Sequence, residues 1–421
     1  MKQFLLGNSN KAMKQSYLWV ALGGLLNAGQ SALLLMVLSR TNKPEDCAIY
    51  SIGYAIACLA LALGNFGMRN FQVTDVDQKY PFETYLSARI ITDIGLLLLV
   101  AGYVVRGRMV LGYSFEKCLE IVLLGLLKLI DSIEDVFHGM YQKKQRLDIA
   151  ARCQTTRYVL VLLTFSISLM ISHQLIISSS VAILFSLTYF LYTLHATFGT
   201  FDVSCHINLR DKRILHLLGD CISLFAGGFL AIYIANVPKY VIDEICSWEK
   251  QACFNYIFMP VYVVSVLNTF IYQPILAKMA KKYKQNERLA FLKLFILPIL
   301  VILVLMCVIL LGGGIFGIPV LSILYNTDLN GYKYSFMILL VGSGFLAIQE
   351  YFAAIITIMR RQLWLLIGYA MSALTAFVIS RPVIQKYDVI GASILYSGIM
   401  MIQMTIFMIL FIIFYYKGNK A

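Results

Sequence analysis

Charge is scarce in this chain. Of its 421 residues, 14% are Asp, Glu, Lys or Arg, 60% are hydrophobic, and the mean hydropathy is +0.77. Soluble domains carry roughly 25% charged residues, so a soluble fold is excluded. The polar/apolar alternation of transmembrane strands is missing too; segments such as 291–311 are apolar almost throughout, which excludes a barrel. The nine cysteines form no CxxC pair, and the five histidines, at 138, 173, 195, 206 and 216, have no ligand spacing. Neither a zinc site nor a redox dithiol is indicated. No GxxxxGK phosphate loop occurs, and no loop exceeds about twenty residues, so the chain has no room for a nucleotide-hydrolysing domain of its own. Short outer loops also disfavour an enzyme, such as a polysaccharide polymerase or glycosyltransferase, whose catalytic residues sit on a long external segment.

What is present is a series of apolar runs of about twenty residues, the length a helix needs to cross a hydrocarbon core about 30 Å thick. Twelve are expected, at 17–38, 47–67, 90–105, 119–140, 158–177, 181–201, 221–237, 254–276, 294–314, 334–358, 363–379 and 390–416. The fold class is therefore all-α, a polytopic membrane helical bundle. The first run is too long for a signal-peptide core and is expected to be retained as a helix. A net charge of +13 would suggest nucleic acid in a soluble protein, but here the cations sort by side. Segments on the amino-terminal side hold 24 Lys and Arg, those on the opposite side 10, and Lys128 lies within a run. By the positive-inside rule both termini are cytoplasmic and the partner surface is the lipid bilayer, not nucleic acid. Gly23-Gly24 and Gly227-Gly228 lie 204 residues apart, about half the chain, which with twelve runs suggests two six-helix lobes, 1–201 and 202–421.

An ionisable side chain inside the bilayer costs about 2.5–3.5 kcal/mol on insertion scales, so each one needs a reason. In the fourth run a helical turn of about 100° per residue places Lys128, Asp131, Asp135 and His138 in one arc of roughly 80°, with Glu134 just beyond it. Such a stripe cannot face lipid. One reading pairs Lys128 with Asp131 and sets Glu134 and Asp135 against interfacial cations such as Lys143 and Lys144. The other has the stripe line a wet cavity, with Lys128 offered to an anionic headgroup and the acids used for ion coupling or sugar contacts. Both can hold. The first run carries Asn27, Gln30 and Ser31 near mid-membrane and Arg40 at its outer end; amides can bind sugar hydroxyls or bridge helices. In Asn236-Val-Pro-Lys239-Tyr240 a proline either frees a backbone carbonyl beside a cation, as at interrupted transporter helices, or marks a plain helix end. Glu350 is a candidate protonation or ion site, or half of a buried pair. Cys246 and Cys253 share an outer segment, and their pairing is left open.

The segments Leu25–Ser31, Gly64–Asp75, Lys128–Gln142, Ile234–Tyr240 and Gly317–Tyr325 together resemble bacterial polysaccharide-repeat flippases, the Wzx-like branch of the multidrug, oligosaccharidyl-lipid and polysaccharide exporter superfamily. The resemblance spans essentially the whole chain. It implies two six-helix lobes around a central cavity that opens alternately to each side of a bacterial cell membrane. The implied activity is non-enzymatic: an oligosaccharide on a polyprenyl diphosphate is turned to the outer leaflet for O-antigen, capsule or exopolysaccharide synthesis. A polymerase and a chain-length regulator would be partners. No bound cofactor is expected, with Na+ or H+ as the coupling ion. On this reading Lys128, Arg40, Arg69 and Lys239 serve the headgroup, Asn27, Gln30, Asp131 and Asp135 the glycan, and Glu350 and Glu134 the coupling ion. A drug or cation antiporter of the same superfamily is the nearest rival, disfavoured by the cationic Lys128. Peptidoglycan-precursor flippases carry extra helices, and basic residues where this chain has Asn27 and Gln30.

Overall fold

The computed structural model describes residues 2–7, 12–75, 79–201, 203, 205–285 and 287–417, and these form helices with no strand among them. Internal contacts group the chain into two units, residues 1–232 and 233–421. The division falls inside one helix.

The first unit contains α1 (Lys2–Leu6), α2 (Ala12–Thr41), α3 (Pro44–Asn65), α4 (Met68–Thr74), α5 (Phe82–Val110), α6 (Phe115–Lys143), α7 (Leu147–Ser172), α8 (Leu175–Phe198) and the first part of α9 (Arg213–Ile245). Local chemistry sets the boundaries. Pro44 opens α3 with Glu45 and Asp46 in its first turn, where a fixed φ and negative charge suit the helix N-terminus. Phe66 and Gly67, at φ 48° and 66°, divide α3 from α4. Ser114 caps α6 by accepting from the Lys117 N–H at 3.2 Å.

The charged helix α6 packs against α3, α4, α5, α7 and α8, so it is the centre of its unit. That placement lets a helix with so many ionisable residues exist in a membrane: its polar stripe and its apolar face are both turned onto protein. Phe137 lies in an aromatic cluster with Phe82, Phe190 and Phe198, at centroid distances of 5.6, 6.3 and 5.8 Å. Aromatic pairs at such spacing add to the stabilisation that burial alone provides.

The second unit contains the rest of α9, α10 (Trp248–Lys284), α11 (Arg288–Gly312), α12 (Ile318–Tyr325), α13 (Lys333–Ile358) and α14 (Gln362–Lys417). A π-helical turn at Gly313–Gly317 joins α11 to α12. Helix α14 is two membrane-length helices: Asp388, at φ 52° and ψ −134°, reverses the chain. Trp364 meets Phe414 and Tyr369 meets Phe407, at 5.8 and 5.1 Å, so the halves run antiparallel about residue 388. The loop expected between the last two runs is thus a single-residue turn.

Among the described residues ten helical segments are long and apolar enough to cross a membrane, one of them the 54 residues of Gln362–Tyr415. At 1.5 Å per residue those 54 would reach about 80 Å if straight, more than twice a hydrocarbon core. Counted as two crossings, and with α6 added because its charges face protein, they bring the total to twelve helices. The proline in the seventh run neither ends nor interrupts its helix, since α9 continues past Pro238 to Ile245. Cys246 and Cys253 are both free thiols.

Candidate functional site

The polar stripe of α6 is the spine of an ion-pair network inside the first unit. Lys128 Nζ donates to Asp131 Oδ2 at 2.8 Å and stands 4.9 Å from the Tyr54 ring centroid. The other oxygen of Asp131 accepts from Arg157 on α7. The same guanidinium donates to Glu134 Oε2 at 2.9 and 2.6 Å and to Ser186 Oγ on α8 at 3.0 Å. His138 Nε2 lies 3.5 Å from the remaining Glu134 oxygen. One turn further, Asp135 is held between Arg89 of α5 at 3.0 Å and Arg69 of α4 at 3.1 Å. Arg69 also donates to Gln142 Oε1 at 3.3 and 3.1 Å.

Arg89 donates to the Gly64 carbonyl and to Ser132 Oγ, which in turn donates to Asp93. Gly64 is required here: a Cβ at this position would stand 2.6 Å from Ser132 Oγ and 3.1 Å from Asp93 Oδ1. The close approach of α3 to α5 and α6 depends on its missing side chain.

The ledger of charge is balanced. Four cations, Lys128, Arg157, Arg89 and Arg69, meet four acids: Asp131, Glu134 and Asp135 through direct ion pairs and Asp93 through the Ser132 hydroxyl. Lys128 and Arg157 are 2% and 1% exposed, whereas Arg69 and Asp135 reach 26% and 18%. The network is therefore sealed around Lys128 and opens toward Arg69.

This corrects two expectations. Lys128 is not alone as a cation within the helices, because Arg89 and Arg157 lie buried in α5 and α7. Glu134 and Asp135 do not meet Lys143 and Lys144; they meet arginines, while Lys143 sits 3.4 Å from Asp75. Both arginines directly precede an apolar run, which made them look like loop residues. A stripe with three acids to one lysine calls for further cations, but nothing in the sequence singles out these two over the nearer Lys143 and Lys144. Glu120, fully buried on α6 and accepting from Ser179 Oγ at 2.6 Å, was also missed.

Just past the end of α4, outside the helices, Asp75 is held below the ordinary carboxylate range. Burial pushes it up, but the backbone N–H groups of Lys79 and Tyr80, Lys143 and the Tyr85 hydroxyl together outweigh that.

The other residues singled out in the sequence lie outside the network. On α2, Asn27 is exposed, Gln30 is buried with its carbonyl oxygen accepting no hydrogen bond, and Arg40 is exposed in the last turn. Two lie in the second unit and share one stripe of α10. Lys239 donates to Tyr262 Oη at 3.0 Å and stands 4.6 Å from the Phe258 centroid. Glu350 accepts from Ser265 Oγ at 2.8 Å and Asn268 Nδ2 at 3.0 Å. Among the described residues no cation pairs with Glu350.

Comparison with known proteins agrees with this architecture. Residues 13–280 match the family described as polysaccharide biosynthesis protein. The chain is 24% identical over 388 residues to the capsular polysaccharide biosynthesis protein CapF of Staphylococcus aureus, covering 90% of this chain and 93% of that one. In fold it is similar to an inward-facing multidrug resistance MATE family transporter of the MOP superfamily, with a TM-score of 0.69 at 13% identity, covering 96% of this chain and 100% of that one. A MOP superfamily transporter from Pyrococcus furiosus gives 0.60 at 14% identity, covering 98% and 96%. The chain is a multi-pass membrane protein with the fold of these transporters, and it belongs to the polysaccharide biosynthesis protein family.

Proposed function

We propose that this protein is a flippase that carries polyprenyl-diphosphate-linked oligosaccharide repeat units from the cytoplasmic to the outer leaflet of a bacterial cell membrane by alternating access. The observation that carries the reading is the match to the polysaccharide biosynthesis family over residues 13–280. Physical chemistry supplies the need: a diphosphate and a hydrated glycan cannot cross hydrocarbon unaided, since polar groups stripped of water go unsatisfied there. The protein moves its substrate without transforming it, and both termini face the cytoplasm, a reading supported by the excess of cations on the amino-terminal side, which persists when the buried Arg89 and Arg157 are set aside.

The balance of the α6 network refines the assignment of roles. Lys128 is sealed in the interior against Asp131, so we assign it to the framework that aligns α3 to α8; Arg69 is also paired, with Asp135, but lies at the exposed end of the network, and we give the headgroup to it and to Lys239. Asn27 and Gln30 offer amides for sugar hydroxyls. Glu350, held among the described residues by the neutral donors Ser265 and Asn268, is the position for a coupling proton or sodium ion. Glu134 would serve in coupling only after release from Arg157. A polymerase and a chain-length regulator would receive the product.

The test is export in a strain lacking the gene. Surface polysaccharide should disappear, lipid-linked repeat units should accumulate, and re-expression should restore both. Normal export without the gene, together with lost resistance to an organic cation, would instead support the antiporter.

A further inference from the structure

In the second unit a cavity of about 620 Å³ lies where the last turn of α10, the first turn of α11 and the ends of α13 and α14 come together. Its charged lining is Lys282, Lys284, Glu287, Arg288 and Arg360. Glu287 is paired with Lys282 at 2.5 Å. Among the described residues Lys284, Arg288 and Arg360 have no anionic partner, so three cations converge without compensation.

The sequence builds this convergence from helix ends. Lys282 and Lys284 reach the cavity from the last turn of α10, where cations complement the helix dipole. Arg360 closes α13 in the left-handed region, at φ 58°, with the next N–H returned to the Ile356 carbonyl at 3.2 Å. The first turn of α11 contributes Arg288.

The rest of the wall is aromatic. Phe291 stands between Tyr283 and Tyr415, at 5.6 and 6.3 Å, and Phe414 closes the side. A small soluble anion would account for the cations but not for the aromatic wall. A volume in the range of ligand sites, uncompensated positive charge and an apolar wall at a helix-bundle end suit a phosphorylated amphiphile.

We propose that this cavity binds the phosphoryl headgroup of an anionic lipid, with the start of its hydrocarbon chain against the aromatic wall. The proposal does not rest on the flippase reading. Two sources share the chemistry: a phospholipid of the bilayer and a polyprenyl diphosphate.

The experiment is lipid binding to the purified full chain in detergent, read by native mass spectrometry with cardiolipin, undecaprenyl diphosphate and phosphatidylcholine as probes. The parent should retain at least one of the first two in preference to phosphatidylcholine. Lys284→Gln/Arg288→Gln/Arg360→Gln should weaken that binding roughly 100-fold, at about fivefold per cation. Lys278→Gln/Lys281→Gln, which removes neighbouring cations outside the cavity, should leave binding within about threefold, well short of the loss expected if each counted fully. Should the triple variant fold poorly, the single variants, each expected to lose about fivefold, carry the test. Cardiolipin alone would assign the site to bilayer phospholipid, and undecaprenyl diphosphate alone to the carrier lipid. Binding of neither, equal binding of phosphatidylcholine, or an equal loss in the Lys278/Lys281 control would overturn the proposal.

Discussion

Arg157→Met is the sharpest perturbation of the α6 network. Arg157 is 1% exposed and holds Asp131, Glu134 and Ser186 at once. Its removal leaves one buried negative charge in excess, because Lys128 can neutralise only Asp131. Breaking a buried pair in this way costs about 3–5 kcal/mol, which for a unit of this size is a fall in unfolding temperature of roughly 10 °C. Adding Glu134→Gln removes the excess charge and leaves Lys128 and Asp131 as a matched pair. The double variant should therefore recover most of the loss, since replacing both partners of a buried pair is often close to neutral. Thermal unfolding of the four purified proteins, arranged as a double-mutant cycle, measures the coupling directly. Additive losses would refute the network, as would an Arg157→Met protein as stable as its parent.

Asp131→Asn should destabilise more than Lys128→Met, because Asp131 serves both Lys128 and Arg157 whereas Asp131 keeps Arg157 when Lys128 is lost; comparing the two unfolding temperatures decides this. Glu350→Gln should fold normally, the amide oxygen still accepting from Ser265 or Asn268, yet weaken the response of transport in vesicles to an imposed ion gradient; an unchanged response would make Glu350 structural. Asp75 has a depressed folded pKa, so its contribution to stability is present above its unfolded value and lost as pH falls through the folded one. The penalty of Asp75→Asn, followed by unfolding across pH 3 to 7, should accordingly be largest near pH 7 and shrink below about pH 4. A phosphatase reporter fused after Lys250 should be active and one after Arg288 inactive; the reverse would invert the topology.

The helices were legible because hydrophobic length is a strong signal in a membrane chain, and even the boundary near Asp388 was bracketed by apolar runs. What escaped was whatever depends on which helices become neighbours. Arg89 and Arg157 each sit at the edge of an apolar run, a position that reads as interface until α6 is placed between α5 and α7. The partners of Glu134 and Asp135 were accordingly assigned to nearby lysines, when the partners come from residues 23 and 46 positions away. Pro238 misled for the opposite reason: proline is a local breaking signal, but a membrane helix packed on protein can continue through it. Lys128 with Asp131 was visible at once, since an i,i+3 pair requires no tertiary knowledge.

The most direct measurement of the central claim is transbilayer movement of a fluorescent polyprenyl-diphosphate-linked oligosaccharide in vesicles holding only the purified protein. Accessibility of the glycan to an enzyme or quencher outside the vesicle reports the movement. The account predicts rapid exchange between leaflets that is slowed by Arg69→Ala and Lys239→Ala at matched protein content. Exchange no faster than in protein-free vesicles, with an organic cation transported by the same preparation, would contradict it.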